Sequence, residues 1–352
     1  MVAGIGNRSV ITFSISLYEL EMERSHMRRT ILNSDKFHWT DLPKLVAVAI
    51  LLTVWFPTRS MAQQPGQKTF SSPEDASQAL VTAAQSNDEK TMLNILGPDG
   101  KQILASGDET EDATSRANFV EKYQEMHRLV KEPDGTTTLY IGAENWPTPI
   151  PLVNHGDSWY FDTEAGKKEI LYRRIGQNEI STIRVCQELV ASQKEYSAQH
   201  NEYAEKIFSD EGQHNGLYWK AADGAAESPI GPLVAMAVAE GDSKSQTGAP
   251  TPYQGYYFHI LTRQGKNGSG GAKNYVINGK MTGGVAFVAY PAEYRSSGVM
   301  TFIVNEDGVV YEKDLGKKTD VVAKNMKEYN PSSSWHKPEE QQEETASERQ
   351  AK

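Results

Sequence analysis

His214 has the neighbours best suited to chemistry in this sequence of 352 residues. Asp210 and Glu211 precede it, and Tyr218 and Trp219 follow it closely. An imidazole oriented by a carboxylate can serve as a general base, and beside aromatic rings it can contact a ligand. The alternative is a structural role, in which His214 hydrogen-bonds the backbone of its own loop. The sequence favours this alternative, because it places no nucleophile or second acid beside His214.

A second group of residues could bind a ligand without carrying out a reaction. Tyr256 and Tyr257 lie in an aromatic-rich stretch, and Glu293 follows in another. Aromatic faces near a carboxylate suit stacking with carbohydrates or peptides. The competing interpretation is that these rings fill the core and rim of a small sheet. Tyr218 and Trp219 complete this set of ligand-binding candidates.

One carboxylate within a predicted long helix, Glu179, is also open to two interpretations. It could face a pocket. The spacing along the chain favours an ion pair with Arg174 or Arg184 instead.

The sequence after residue 62 lacks the common catalytic and cofactor-binding motifs. It contains no nucleophile elbow, zinc-protease motif, phosphate-binding loop or dinucleotide fingerprint. The glycine-rich residues 268–271 lack the Lys-Ser/Thr pair of a phosphate loop, so they predict a flexible hairpin loop. The acidic residues at 108–112 do not have calcium-loop spacing, and no two histidines have metal-ligand spacing on one helix. The sequence therefore predicts no metal and no cofactor.

Composition and charge narrow the class of protein further. Hydrophobic residues make up 38% and charged residues 23% of the chain, which is typical of a water-soluble globular protein. The formal charge of −10 makes nucleic acids and anionic lipids poor electrostatic partners. The single cysteine, Cys186, excludes an intrachain disulfide and a cysteine-rich zinc site.

The N-terminal part of the sequence predicts export. Basic side chains precede an apolar run at 45–56, and Ser60 and Ala62 are small residues at the two positions that a signal peptidase reads. We therefore predict cleavage between Ala62 and Gln63 and a periplasmic or secreted protein.

The same segment argues against a lasting membrane anchor. The run at 45–56 is shorter than the roughly 20 apolar residues that a bilayer core requires. Gln63 stands where a bacterial lipoprotein would need a cysteine. The sequence leaves open whether Met1 or Met27 is the true start.

Hydrophobic periodicity predicts mostly helices in the first half. In chain order the predicted elements are a capped helix from Ser72, a helix near 88–96, a helix at 114–131, strands at 138–141 and 158–162, and a long helix from Ala165 to about Tyr203. His127 falls on the apolar side of the third predicted helix.

The second half predicts an antiparallel meander. A loop at 210–252, with one short apolar helix near 233–238, precedes it. The strand candidates are 256–262, 274–277, 285–290, 299–304 and 309–313. Asn278-Gly279 and residues 305–308 supply turn chemistry, and a closing helix is predicted at 319–329.

These elements predict an α+β fold with N-terminal helices, a small curved antiparallel sheet, a long helix, and a C-terminal antiparallel meander with its closing helix. The predicted organisation is a signal peptide with an N-terminal extension at 1–62, a linker at 63–69, an α+β region at 70–210, a long loop at 211–252, the meander region at 253–330 and a disordered tail at 331–352.

Several short stretches of the sequence are distinctive. They are FSSPE at 70–74, ILGPDG at 95–100, WYFD at 159–162, RIGQNE at 174–179, HNGLYW at 214–219, GYYF at 255–258, GVMTFIV at 298–304 and KDLG at 313–316. Together they resemble a bacterial exported-protein family known as domain of unknown function 2950. The resemblance covers about residues 70–335 and implies export and one shared architecture, and it brings no activity or catalytic residues with it.

Three hypotheses of function follow. The leading one is a non-catalytic binding or interaction module of the cell envelope, whose partner is an unknown envelope component or a small ligand. The second is a hydrolase of envelope polymers that uses His214 with Asp210 or Glu211. The third is a structural protein that joins a partner through the edge strand of its meander. No nucleic-acid partner is expected, and the sequence favours no enzyme.

Overall fold

The computed structural model describes residues 63–105, 109–219, 228–230 and 252–338. The chain divides into two compact units, the first ending at Ile170 and the second beginning at Leu171. The predicted signal segment, the predicted short helix at 233–238 and residues 339–352 of the predicted tail lie outside the described residues. In the part of the chain that is described, every helix is too short or too polar to span a bilayer.

The first unit begins with helices, and the first of them is capped at Ser72 as the sequence predicts. They are α1 (Pro73–Gln85), α2 (Glu89–Leu96), a 3-10 turn (Pro98–Gly100), α3 (Lys101–Leu104) and α4 (Glu109–Glu125). The Ser72 hydroxyl accepts a hydrogen bond from the Asp75 backbone N–H at 3.0 Å, and Pro73 occupies the first turn. The Asp88 carboxylate caps α2 by accepting from the Thr91 N–H at 3.0 Å.

An antiparallel sheet completes the first unit. Its strands are β1 (His127–Lys131), β2 (Thr137–Ile141), β3 (Trp146–Pro147), β4 (Leu152–His155) and β5 (Ser158–Phe161), in the order β1-β2-β4-β5 with β3 beside β2. The predicted strands at 138–141 and 158–162 are thereby confirmed as β2 and β5. Apolar side chains of α1 and α2, such as Ala76 and Ile95, pack with Leu152 and Phe161 of the sheet.

The predicted helix at 114–131 is wrong in its last part. Helix α4 ends at Glu125, and the residues that follow form β1. The change occurs because β1 pairs with β2 along its whole length, which sets Leu129 opposite the buried Leu139. His127 is consequently exposed at the start of a strand, and its ring stacks on Tyr123 with a centroid separation of 3.9 Å.

The predicted long helix is confirmed as α5 (Thr163–His200). The Asp162 carboxylate caps its first turn by accepting from the Ala165 N–H at 3.0 Å. Residues 163–170 belong to the first unit, and the remainder of α5 belongs to the second. There Ile183, Cys186 and Leu189 enter the core.

The second unit contains the predicted antiparallel meander. Its strands are β6 (Tyr256–Leu261), β7 (Arg263–Gln264), β8 (Lys273–Asn274), β9 (Val276–Ile277), β10 (Lys280–Met281), β11 (Ala286–Pro291), β12 (Met300–Asn305) and β13 (Val310–Asp314). The main sheet has the order β13-β12-β11-β6 and is antiparallel throughout. Asn278 and Gly279 both have positive φ at the β9–β10 turn, as an Asn-Gly hairpin requires.

The end of the described chain differs from the prediction. The closing helix α6 (Thr319–Lys324) stops before 329, and β14 (Glu328–Tyr329) pairs with β7 in parallel. Residues 331–338, predicted as the start of a disordered tail, extend past β14, and His336 forms an antiparallel bridge to Glu312. The described elements confirm the α+β fold.

Candidate functional site

The structure places His214 on an exposed stretch of the second unit. Its ring stacks on Trp219, with the centroids 4.2 Å apart and the ring planes 17° from parallel. Tyr218 is half-buried and meets the Phe208 ring edge-on at 5.4 Å. Glu211 is exposed. The structure therefore brings His214 and Trp219 together on the surface.

Asp210 is oriented toward other residues than His214. Its Oδ2 atom accepts from Lys206 Nζ at 2.6 Å and from Asn215 Nδ2 at 2.7 Å. The Asp210 backbone N–H donates to Asn215 Oδ1 at 2.9 Å. These bonds hold the turn in shape. The described contact of His214 is with the Trp219 ring, whereas a general base would need a carboxylate bonded to its imidazole.

A more strongly connected polar site lies elsewhere in the second unit, on α5. Glu179 Oε1 accepts from the backbone N–H groups of Val299 at 2.8 Å and Met300 at 2.9 Å. A carboxylate that accepts from main-chain donors forms charge-assisted hydrogen bonds, which are about twice as strong as neutral ones. The sequence favours an ion pair for Glu179, and the structure shows backbone donors as its partners.

Two further α5 side chains bind the same loop. Arg174 Nη2 donates to the Ser296 carbonyl at 3.0 Å, and Asn178 Nδ2 donates to the Ser297 carbonyl at 2.8 Å. Arg174 and Asn178 are four residues apart and so share one helix face. Together with Glu179, they bind both carbonyl and N–H groups of the loop backbone. We call residues 292–299 the anchored loop.

Tyr256 belongs to the base of this loop. Its side chain is fully buried, and its hydroxyl donates to the Met300 carbonyl at 2.9 Å and lies 3.4 Å from Glu179 Oε1. Burial, together with the Glu179 carboxylate, raises the pKa of the Tyr256 hydroxyl far above its usual range. The hydroxyl is therefore a permanent donor, and the ring is a core side chain in this conformation. Its neighbour Tyr257 is half-buried, with its ring centroid 5.8 Å from that of Tyr290.

Two glycines allow the backbones around the loop to approach each other. A Cβ atom on Gly255, whose φ is +75°, would lie 2.7 Å from Asn178 Nδ2 and 2.8 Å from Ser297 Cβ. A Cβ atom on Gly298 would collide with the Tyr256 ring and hydroxyl. Both positions therefore require glycine for close approach.

The anchored loop is tightly folded and presents charged side chains. The Glu293 carbonyl accepts from the N–H groups of Ser296 and Ser297 at 3.0 and 2.9 Å. Arg295 has a φ of +64°, an uncommon left-handed conformation for a residue with a side chain. The Glu293 and Arg295 side chains are exposed, and Tyr294 donates its hydroxyl proton to Asp314 Oδ2 at 3.0 Å.

Other side chains of the second unit that could do chemistry are buried. Burial raises the pKa of the Cys186 thiol far above its usual range, so the nucleophilic thiolate does not form. His259 is buried, and its Nε2 lies 3.0 Å from the Met326 carbonyl. The glycine-rich 268–271 segment folds around the Gln264 amide, which donates to the Ser269 and Gly271 carbonyls at 2.6 and 2.7 Å. Among the described residues, no three His, Cys, Asp or Glu side chains are grouped to hold a metal ion.

Sequence reasoning missed the role of Arg174, Asn178, Gly255 and Gly298. A signal for them was nevertheless present. The stretches RIGQNE, GYYF and GVMTFIV, which carry the family resemblance, are the ones that meet at this site. Their meeting depends on contacts between residues 120 positions apart in the chain, which local periodicity does not reveal.

The fold and this site define an α+β protein of two compact units whose second unit fixes a surface loop from a long helix. The chain belongs to the family described as Protein of unknown function (DUF2950), whose model matches residues 67–337. No curated protein and no solved structure matches the chain. The expected family is thereby confirmed.

Proposed function

We propose that this chain is an exported, non-catalytic binding module of the cell envelope and that the anchored loop is its contact surface. The observation that carries the proposal is the anchoring itself. Glu179, Asn178 and Arg174 bind three backbone groups of the loop, and Glu179 also binds the N–H of Met300, the first residue of β12. A loop that is fixed before it meets a ligand loses less conformational entropy on binding.

The side chains on the loop suggest the class of ligand. Exposed Glu293 and Arg295 offer one charge of each sign, and the Arg295 guanidinium lies 5.4 Å from the Tyr294 ring centroid. Arginine binds carboxylates with two parallel hydrogen bonds, and tyrosine rings stack on sugars. Peptidoglycan fragments combine sugar rings with a peptide that bears carboxylates and amines, so they are the ligands that we expect.

The location of the family match supports export. The match begins at residue 67, a few positions after the predicted cleavage between Ala62 and Gln63, and it leaves out the apolar run at 45–56. A removable address segment is expected to lie outside the folded family domain. The test is mass spectrometry of the protein from the periplasmic and culture fractions. A chain that begins at Gln63 supports the proposal, and a cytosolic chain that retains residues 45–56 contradicts it.

Binding is tested by titrating purified protein with soluble peptidoglycan fragments in a calorimeter. We expect Arg295→Ala to weaken binding about tenfold, the loss typical of a substantial interface contact. Lys266→Ala, at another exposed cation of the second unit, is the matched control and should bind like the wild type. Equal loss in both variants, or hydrolysis of the fragments during titration, would contradict a non-catalytic loop site.

A further inference from the structure

Two sheet edges of this protein are closed by its own chain. In the second unit, Glu312 of β13 and His336 exchange backbone hydrogen bonds of 2.7 and 3.0 Å. In the first unit, Trp159 of β5 and Phe70 exchange two of 2.8 Å. Closure of this kind prevents an edge strand from pairing with other polypeptides. The meander edge at β13, where the sequence suggested a partner could join, is therefore occupied at its middle.

Among the described strands, β1 of the first unit lies at the edge of its sheet. Glu132, just after β1, donates its N–H to the Thr136 carbonyl at 2.9 Å. Together with the register of the two strands, this bond shows which residues of β1 hydrogen-bond to β2. Antiparallel strands alternate between residues that bond the neighbour and residues that face away. The backbone groups of His127, Leu129 and Lys131 therefore point away from β2. Within the described ranges, no segment pairs with this side of β1.

This edge is basic, whereas the protein as a whole carries a formal charge of −10. Arg128 and Lys131 are both exposed. The Arg128 side chain is held in place, because its Nε donates to Asn145 Oδ1 at 2.7 Å and its guanidinium lies 4.6 Å from the Tyr140 ring centroid. An ordered cation beside open backbone groups favours an acidic partner.

Two neighbouring carboxylates already have a cation, and a third, Glu132, accepts from the Tyr140 hydroxyl at 3.2 Å. Glu125 and Glu144 both contact Lys122 Nζ, at 2.9 and 3.4 Å. The Lys122 side chain, with a relative exposure of 20%, is set back from the surface between them. Within β1 itself, the charged side chains are those of Arg128 and Lys131.

We propose that β1 is a docking site for an extended acidic segment of another polypeptide, which adds to the first-unit sheet as an antiparallel strand. A second copy of this chain is a poorer occupant. Pairing of two β1 strands would bring Arg128 and Lys131 of both copies to one strand pair, and these like charges oppose association. This docking site lies in the first unit, so it goes beyond the proposed function and does not depend on the anchored loop.

The test uses the purified full chain and two short capped peptides, one that alternates Glu with Val and one that alternates Lys with Val. Hydrogen exchange is followed at single amides, with and without each peptide. The acidic peptide should bind about tenfold more tightly and should slow exchange at Leu129 and Lys131, whose N–H groups point outward. Equal binding of both peptides, or protection confined to other strands, would overturn the proposal.

A pair of variants separates backbone docking from simple charge attraction. Lys131→Thr removes the charge and keeps the outward N–H, so binding should weaken about threefold. Lys131→Pro removes the charge and the N–H, and because that N–H does not bond β2 the sheet should survive. We expect Lys131→Pro to bind at least about tenfold more weakly than Lys131→Thr.

Thermal melts establish whether each variant is folded. If Lys131→Pro fails to fold, amide protection in the wild type decides the question by itself. If the two variants bind equally, strand addition is wrong. A wild-type dimer in gel filtration that Lys131→Pro dissociates would show that a second copy occupies β1, and this too would overturn the proposal.

Discussion

Residues 206–219 and the anchored loop at 292–299 both carry polar side chains at the surface of the second unit, but different interactions hold them. The first is stabilised from within, by backbone bonds such as that from the Tyr218 N–H to the Ile207 carbonyl at 2.7 Å and by the exposed contacts of Asp210 with Lys206 and Asn215. The second is bound by Glu179 of α5, whose carboxylate accepts from two backbone N–H groups that lie 120 and 121 residues later in the chain. Exposed ion pairs contribute little to stability, and charge-assisted bonds to half-buried carboxylates contribute more.

The difference shows that the residue types in a local stretch of sequence do not reveal which side chains hold the structure together. The segment around His214 attracts attention because it concentrates residue types that do chemistry. Glu179 is a single carboxylate in a helix, and the local sequence predicts only an ion pair with a nearby arginine. Its importance comes from the distant groups that it binds, so the stability of the unit should depend on Glu179 far more than on His214.

Glu179→Ala should produce the largest effect. It removes the acceptor of the Val299 and Met300 N–H groups, and each bond to a charged group contributes roughly 1.5–3 kcal/mol. We expect the second unit to lose about 3 kcal/mol of unfolding free energy in urea denaturation. Glu179→Gln keeps an acceptor oxygen and should lose less. A loss in Glu179→Ala no larger than that in His214→Ala would remove the contrast between the two segments.

Gly298→Ala should produce the next largest effect. The new methyl group would meet the buried Tyr256 ring and hydroxyl, and overpacking of this kind costs about 1–3 kcal/mol. The control is Gly176→Ala on α5, where an added Cβ has nothing within 4 Å. Because alanine favours a helix interior over glycine, the control should gain about 0.5–1 kcal/mol. Opposite signs in thermal melts would support close approach at Gly298, and equal signs would contradict it.

Asn178→Ala should have a smaller effect, about 1 kcal/mol, because it removes one neutral hydrogen bond to the Ser297 carbonyl. The test is a double-mutant cycle with Glu179→Ala, measured by urea denaturation. If both side chains stabilise one loop conformation, the double variant should lose less than the sum of the single losses. Strict additivity would show that the two contacts act independently.

Most of the fold could be predicted from sequence, because strong periodicity marks its elements. Helix α5 and strands β11–β13 have patterns that no tertiary contact overrides. Strand β1 was mistaken for the end of a helix, because its short apolar pattern fits either structure until β2 pairs with it. The loop-binding role of Glu179 lay beyond sequence reasoning for a different reason. Its donors are backbone groups, which carry no residue-specific signature.

The stability of the second unit should depend on pH through the buried His259. Burial, and to a lesser extent the charge of Lys327, lowers the pKa of His259. The unfolded chain, with a histidine pKa of about 6.5, then binds more protons than the folded one. The stabilisation from neutral His259 is complete above that pH and is lost as the pH falls through 6.5 toward the lower folded pKa. Urea denaturation between pH 7 and pH 5 should show this loss in the wild type and not in His259→Gln.

His214→Ala should have the smallest effect on stability, within about 0.5 kcal/mol, because His214 is exposed and its described contact is a ring stacked on Trp219. Urea denaturation measures the change, and Glu179→Ala provides the contrast. The same variant tests the hydrolase alternative. If the wild type degrades an envelope polymer and His214→Ala does not, while both unfold at the same urea concentration, then the exposed segment is the working site. The anchored loop would then be structural support for the second unit.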